Sequence, residues 1–160
     1  MKKISLILTI LFLLTLCGCT ASQNADGKYS AEFPYDPQQY MLFVNKELQA
    51  PINQMSDVLS AISKFEKGEV SQDGLHKLVR STYATLTDSI RTIEFMRPPE
   101  TYTADAQRVV ERLNDLKALY AELIELSSAG NMAAEDASAM AERIHESYLL
   151  TTSEANTYWK

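Results

Sequence analysis

The sequence predicts an all-α protein whose main domain is an antiparallel up-down-up-down four-helix bundle, set behind a cleaved signal peptide and a flexible tether. Three observations predict it. Four stretches of the 160 residues repeat apolar side chains at alternating steps of three and four, the spacing that lines one face of a helix. Short breaks bearing proline or glycine separate the stretches. No segment alternates with the period of a strand, and glycine occurs only five times.

Met1-Lys2-Lys3 opens the chain and is followed by a mostly apolar run from Ile4 to Leu16. A membrane-crossing helix needs ~20 apolar residues, so the run has the proportions of a signal-peptide core behind a positive end. It closes on Leu16-Cys17-Gly18-Cys19. This resembles the lipobox of bacterial lipoprotein precursors, with Leu16 as the aliphatic residue, Cys17 in the variable position, Gly18 as the small residue and Cys19 as the cysteine that becomes the new N-terminus. The resemblance implies that residues 1–18 leave with the signal peptide and that Cys19 carries a diacylglyceryl thioether. It places the mature chain on the extracytoplasmic face of a bacterial membrane. The same resemblance implies that, with no Asp after Cys19, sorting to the outer membrane is allowed in a Gram-negative cell, whereas in a Gram-positive cell only the cytoplasmic membrane is available. A zinc or redox reading of the two cysteines fails on spacing, since both chemistries place two or more residues between thiols. No cysteine follows Cys19, so the exported domain has no internal disulfide.

Loss of Lys2 and Lys3 leaves thirteen basic residues against twenty-one acidic ones, a mature net charge of −8. An acidic chain without Lys/Arg clusters argues against nucleic acid and against a polybasic grip on anionic lipid. The expected membrane contact is therefore the lipid on Cys19. Residues 19–35 are small and polar, with no helical repeat, until a few aromatics near their end, and read as the tether, with Phe33 and Tyr35 expected to dock on the domain.

The bundle is expected over residues 36–160, with helices at about 37–67, 72–96, 103–128 and 132–158. Asp36-Pro37-Gln38-Gln39 is a helix start with Asp36 as N-cap and Pro37 in the first turn. Met41, Val44, Leu48, Ile52, Met55, Leu59 and Ile62 form its expected buried stripe, Pro51 a kink and Gly68 the end. Ser71 starts the second helix, whose stripe is Leu75, Val79, Thr82, Leu86, Ile90 and Ile93, and Pro98-Pro99 stops it. Thr101 or Thr103 is expected to cap the third, with Tyr102, Ala106, Val109, Leu113, Leu116, Tyr120 and Leu123 inward. Gly130 ends it and Asn131 is expected to cap the fourth, with Ala133, Ala137, Met140, Ile144, Tyr148, Thr151 and Ala155 inward. A three-helix alternative, with Pro51 splitting or releasing the first helix, is the rival topology.

Chemistry is sparse. Glu142-x-x-His145 and Asp73-x-x-His76 have the spacing of di-iron carboxylate sites. At ~100° per residue, however, Glu142, His145 and Asp73 turn away from their stripes, and the sequence predicts two solvated histidines, no metal and no cofactor. No haem attachment motif, nucleophile elbow or glycine-rich phosphate loop is present. Tyr83 and Tyr148 are expected at similar depth, near Thr82, Ser147 and Thr151, and are the candidate small-ligand residues. Tyr158 and Trp159 are a possible aromatic cap or handle. The leading expectation is a non-catalytic interaction module of the cell envelope with an envelope protein partner. The alternatives are a ligand-binding or sensing bundle and, third, an envelope hydrolase.

Overall fold

The computed structural model describes residues 22–23, 29–32 and 36–156; Cys19, Phe33, Tyr35, Tyr158 and Trp159 lie outside them. The chain divides into two compact units, residues 1–31 and 32–160. In the stretch expected to be a featureless tether, strand β1 (Ser22–Gln23) pairs antiparallel with β2 (Tyr29–Glu32), placing Ser22 opposite Ser30 and Gln23 opposite Tyr29. Asp26-Gly27, a dipeptide favoured in hairpin turns, lies in the sequence between them.

The second unit is built from four helices: α1 (Pro37–Glu66), α2 (Gln72–Phe95), α3 (Thr103–Ser128) and α4 (Ala134–Ala155). The chain is mainly helical and all-α in class. Both α1 and α3 pack against α2 and α4, so each helix has two neighbours. A short extended segment, β3 (Met96–Arg97), and a 3-10 turn (Glu100–Tyr102) connect α2 to α3.

Local chemistry explains the boundaries. The Asp36 carboxylate accepts from the Gln39 N–H at 3.0 Å, and Pro37 fills the first helical position, where its missing N–H costs nothing. Ser71 Oγ accepts from the Gly74 N–H at 3.2 Å and caps α2. Gly68 and Gly130, with φ of +73° and +80°, supply the left-handed residue that closes α1 and α3. Two expected caps are corrected. Neither Thr101 nor Thr103 caps α3; the 3-10 turn feeds the helix through Tyr102, which makes no capping bond. Asn131 does not cap α4 either: the helix begins after Ala133, residues 131–133 stay outside it, and of these Met132 is buried. Glu135 and Asp136 in the first turn of α4 oppose its positive dipole end instead.

The core runs along one face of every helix. In α2 the six expected residues are all buried, joined by Ser89. In α1 the buried arc is rotated. Tyr40 and Val58 are inside, whereas Met41 and Leu59 lie half-buried on its flank, because the arc is wide enough for two neighbouring rows. Pro51 is buried and the helix continues through it. In α3 Tyr102 is half-buried and Ser127 takes an interior place. In α4 the small Ser147 is buried, while Tyr148 remains half-buried and Ala133 is exposed. Each fully buried leucine, such as Leu48, Leu113 or Leu123, contributes ~2 kcal/mol by leaving water.

Candidate functional site

The two tyrosines expected to share a pocket each have ring contacts with other residues. Tyr83 sits on the α3 side of α2, where Lys117 Nζ lies 5.7 Å from its ring centroid, at the outer limit of a cation–π contact. Tyr148 belongs to α4, which does not pack broadly on α2, and its ring stacks on His145 of its own helix at 6.4 Å. Thr82 and Thr151 are buried, so the polar residues expected nearby are in the interior even though the tyrosine pair is not.

Among the described residues the fully buried tyrosines are Tyr40 and Tyr120. Burial pushes the Tyr40 hydroxyl up to about 12 and raises Tyr120 as well, since the interior penalises a phenolate. Among the described residues, the Tyr120 hydroxyl and Thr151 Oγ1 find no hydrogen-bond partner. Tyr120 stood in the α3 stripe from the outset. Tyr40 was missed because Met41, one residue on, fits the same spacing.

The histidines part company. His145 is exposed, as expected, and Glu142 beside it is exposed too. Asp73 pairs with Lys77 at the surface. His76 is the correction: it is half-buried, with Nδ1 2.9 Å from Ser127 Oγ. Its position on the flank of the α2 stripe was legible, but its partner on α3 was not. Among the described residues no group of three or more metal-binding side chains gathers.

A Ser–His contact invites a nucleophilic reading, and the surroundings argue against one. Ser127 Oγ also donates to the Ile124 carbonyl at 3.1 Å. A hydroxyl has one proton, so with that proton on Ile124 the imidazole donates to Ser127 through Nδ1–H and is not placed to accept from it. Ser127 also lies at the C-terminal end of α3, where carbonyls and the negative end of the dipole oppose a developing oxyanion. Gln72 completes the arrangement by donating to the Ser127 carbonyl at 2.7 Å and accepting from the Met132 N–H at 3.2 Å. Gln72, His76 and Ser127 are a clamp that ties the start of α2 to the end of α3 and the turn beyond it.

An open groove of about 340 Å³ runs between α3 and α4, lined by Arg112, Asp115, Leu119, Arg143, Ser147 and Leu150 among others. Arg143 donates to Glu122 at 2.6 Å, a bond that holds the Glu122 carboxyl below its usual range and the guanidinium above its own. Arg112 lies 3.5 Å from Asp115. Both guanidiniums thus have carboxylate partners on the surface, where such pairs contribute little to stability. The groove offers alternating charge beside exposed leucine. Neither Tyr83 nor Tyr148 lines it.

Compared with protein-family models, curated proteins and solved structures, the chain matches none.

Proposed function

We propose that this chain is an extracytoplasmic lipoprotein, anchored to a bacterial membrane through lipid on Cys19, whose helical domain acts as a non-catalytic interaction module of the cell envelope. The observation that carries this reading is the order Lys2-Lys3, apolar run, Leu16-Cys17-Gly18-Cys19. One acyl chain gives only marginal anchoring and two hold a protein stably, since each buried methylene contributes ~0.8 kcal/mol. A diacylglyceryl group on Cys19 meets that requirement without a transmembrane helix.

The helices are arranged, in this reading, as an antiparallel up-down-up-down bundle. Four contacts support it. Gln72 at the start of α2 meets Ser127 at the end of α3, Arg108 near the start of α3 meets Glu154 near the end of α4 at 3.3 Å, and Arg143 meets Glu122 midway. Gln54 and Thr85 meet at 3.5 Å in the middle of α1 and α2. The groove between α3 and α4 supports the interaction role, because it presents apolar and charged side chains on two rigid elements.

Labelling cells with palmitate tests the anchor. Cys17→Ala keeps the label and Cys19→Ala loses it; undiminished labelling of the Cys19 variant overturns the assignment.

A further inference from the structure

The large apolar side chains exposed among the described residues are Leu42, Phe95, Leu149 and Leu150. None lies in the half of the domain that holds the Gln72 clamp. Leu42 is in the second turn of α1, Phe95 is the last residue of α2, and Leu149 and Leu150 fall in the last third of α4. Contacts place these segments at one end. Tyr40 of α1 stacks on Tyr102 at 6.2 Å, the Tyr102 hydroxyl reaches Met41 Sδ at 2.8 Å, and Arg108 joins the start of α3 to Glu154 of α4.

Helical geometry sorts them by face. On α1, Gln54 marks the side toward α2 by its bond to Thr85, and Leu42 lies on the opposite, outer flank, toward α4. On α4, Ser147 and Leu150 mark the side toward α3 by lining the groove, and Leu149 lies on the outer flank toward α1. Leu42, 60 % exposed, and Leu149, 55 % exposed, therefore border the outer surface of the same α1–α4 seam.

This surface carries few charges. The first twenty residues of α1, Pro37 to Ser56, contain only Lys46 and Glu47 as charged residues, and from Ser147 to Asn156 the only one is Glu154, which is drawn toward α3 by Arg108; Asp36 before α1 and Glu146 a turn before Leu149 bound the stretch. The facing half of the domain is different: Asp88, Arg91, Glu94 and Arg97 crowd the end of α2, and Glu100, Asp105, Arg108, Glu111 and Arg112 the start of α3.

We propose that the outer α1–α4 face around Leu42 and Leu149 lies against the bilayer to which the chain is anchored, with both leucines in the interfacial layer and Lys46 extended toward lipid phosphates. This rests on the lipid anchor at Cys19. The length of chain between anchor and helix selects the occupant. Sixteen residues separate Cys19 from Asp36, a number whose typical end-to-end span as an unconstrained chain is roughly 22 Å, and the β1–β2 pairing takes up part of that length. α1 itself is ~45 Å long at 1.5 Å per residue, so the bilayer is within reach of its first turns and not of its far end. A tether this short presents the membrane at an effective concentration of order millimolar, so two leucines need only orient a domain that is already held. Charge agrees, because an acidic domain is repelled by anionic lipid and the face poorest in carboxylates approaches at the least cost. Lys46, about one turn beyond Leu42, has a stem long enough to reach the headgroups.

The test uses the full lipidated protein in vesicles of phosphatidylethanolamine with a minority of phosphatidylglycerol. With Cys17 removed and Cys19 acylated the mature chain has no free thiol, so Leu42→Cys, Leu149→Cys and Ser60→Cys each take a single spin label. Ser60 is the internal control: it is exposed, lies eighteen residues beyond Leu42, and by helical arithmetic points in the same direction about five turns away. Labels at 42 and 149 are expected to become several-fold more accessible to oxygen and several-fold less accessible to a water-soluble nickel complex when vesicles replace detergent, while position 60 does not change. Equal, fully aqueous behaviour at all three positions in protein that floats with the vesicles overturns the docking and leaves the lipid anchor standing. Dipolar broadening between labels at 42 that persists in detergent means a second copy of the chain covers the face and also overturns it. A mass spectrum without lipid on Cys19 brings down both readings together. Leu42→Ser combined with Leu149→Ser, read with a label at Ser153→Cys, should return that exposed position to water.

Discussion

The two ends of the four helices solve different problems. At the end where α1 gives way to α2 and α3 to α4, polar groups do the fastening: Gln72 bridges the Ser127 carbonyl and the Met132 N–H, His76 holds Ser127 Oγ, and Gly68 and Gly130 turn the chain with positive φ. At the end where α1 begins, aromatic packing fastens instead, through Tyr40, Phe43 and Tyr102, and leucines are left in solvent around it. The difference teaches that, among the described residues, one end is closed by hydrogen bonds while the other leaves large apolar side chains exposed. Under the proposed function, that is also the end nearest the lipid.

The largest test of this contrast removes the aromatic fastening. Tyr40→Ala is expected to destabilise the domain by about 4 kcal/mol, through lost burial and the cavity left beneath Tyr102. Urea denaturation followed by circular dichroism measures it, and a loss under about 1 kcal/mol would mean that this end is not held by its core. Next comes the clamp. Gln72→Ala strips partners from two part-buried backbone groups at once and should cost about 2 kcal/mol. The accompanying increase in amide exchange should concentrate around residues 127–133, not at the far end.

Between the two ends lies Tyr120, whose hydroxyl is buried without a partner among the described residues. Tyr120→Phe is expected to be neutral or stabilising by up to about 1 kcal/mol, since it removes a desolvated group that earns no hydrogen bond. The pH dependence follows in sign. Folding raises the Tyr120 and Tyr40 hydroxyls above the usual 10, so the neutral phenol is favoured in the native state. The stability this confers is complete below pH 10 and is lost as pH rises from there through the native values. Wild type should therefore lose stability on the alkaline side more steeply than Tyr120→Phe, a difference visible in urea midpoints measured from neutral pH upward.

The smallest effect is expected at the exposed leucines. Leu42→Ser should change stability by no more than about 0.5 kcal/mol, because that side chain is already in water. A larger loss would show that Leu42 packs within the domain and is not held ready for the bilayer.

Much of the helical arrangement could be read from the residues, and where reading stopped is informative. The α2 stripe from Leu75 to Ile93 was complete because its apolar residues fall in one narrow row. In α1, Tyr40 and Met41, like Val58 and Leu59, compete for neighbouring rows, and only packing against α2 and α4 decides between them. The caps at Asp36 and Ser71 were legible because their partners lie three residues away. Asn131 misled, since the Gln72 bond that holds Met132 outside α4 comes from a residue sixty positions earlier. The same limit governs the candidate site. The partner of His76 and the lining of the α3–α4 groove are juxtapositions of distant residues, as are the contact of Tyr83 with Lys117 and the absence of both tyrosines from that groove. Under the proposed function Cys19 differs in kind, because a lipobox would be read by an enzyme from contiguous residues.

The intact mass of the protein extracted from its membrane tests the central claim most directly. The account predicts a chain that begins at Cys19, has lost residues 1–18, and carries a diacylglyceryl group on that residue. A chain that retains Met1 to Gly18, or that begins elsewhere without lipid, would contradict it.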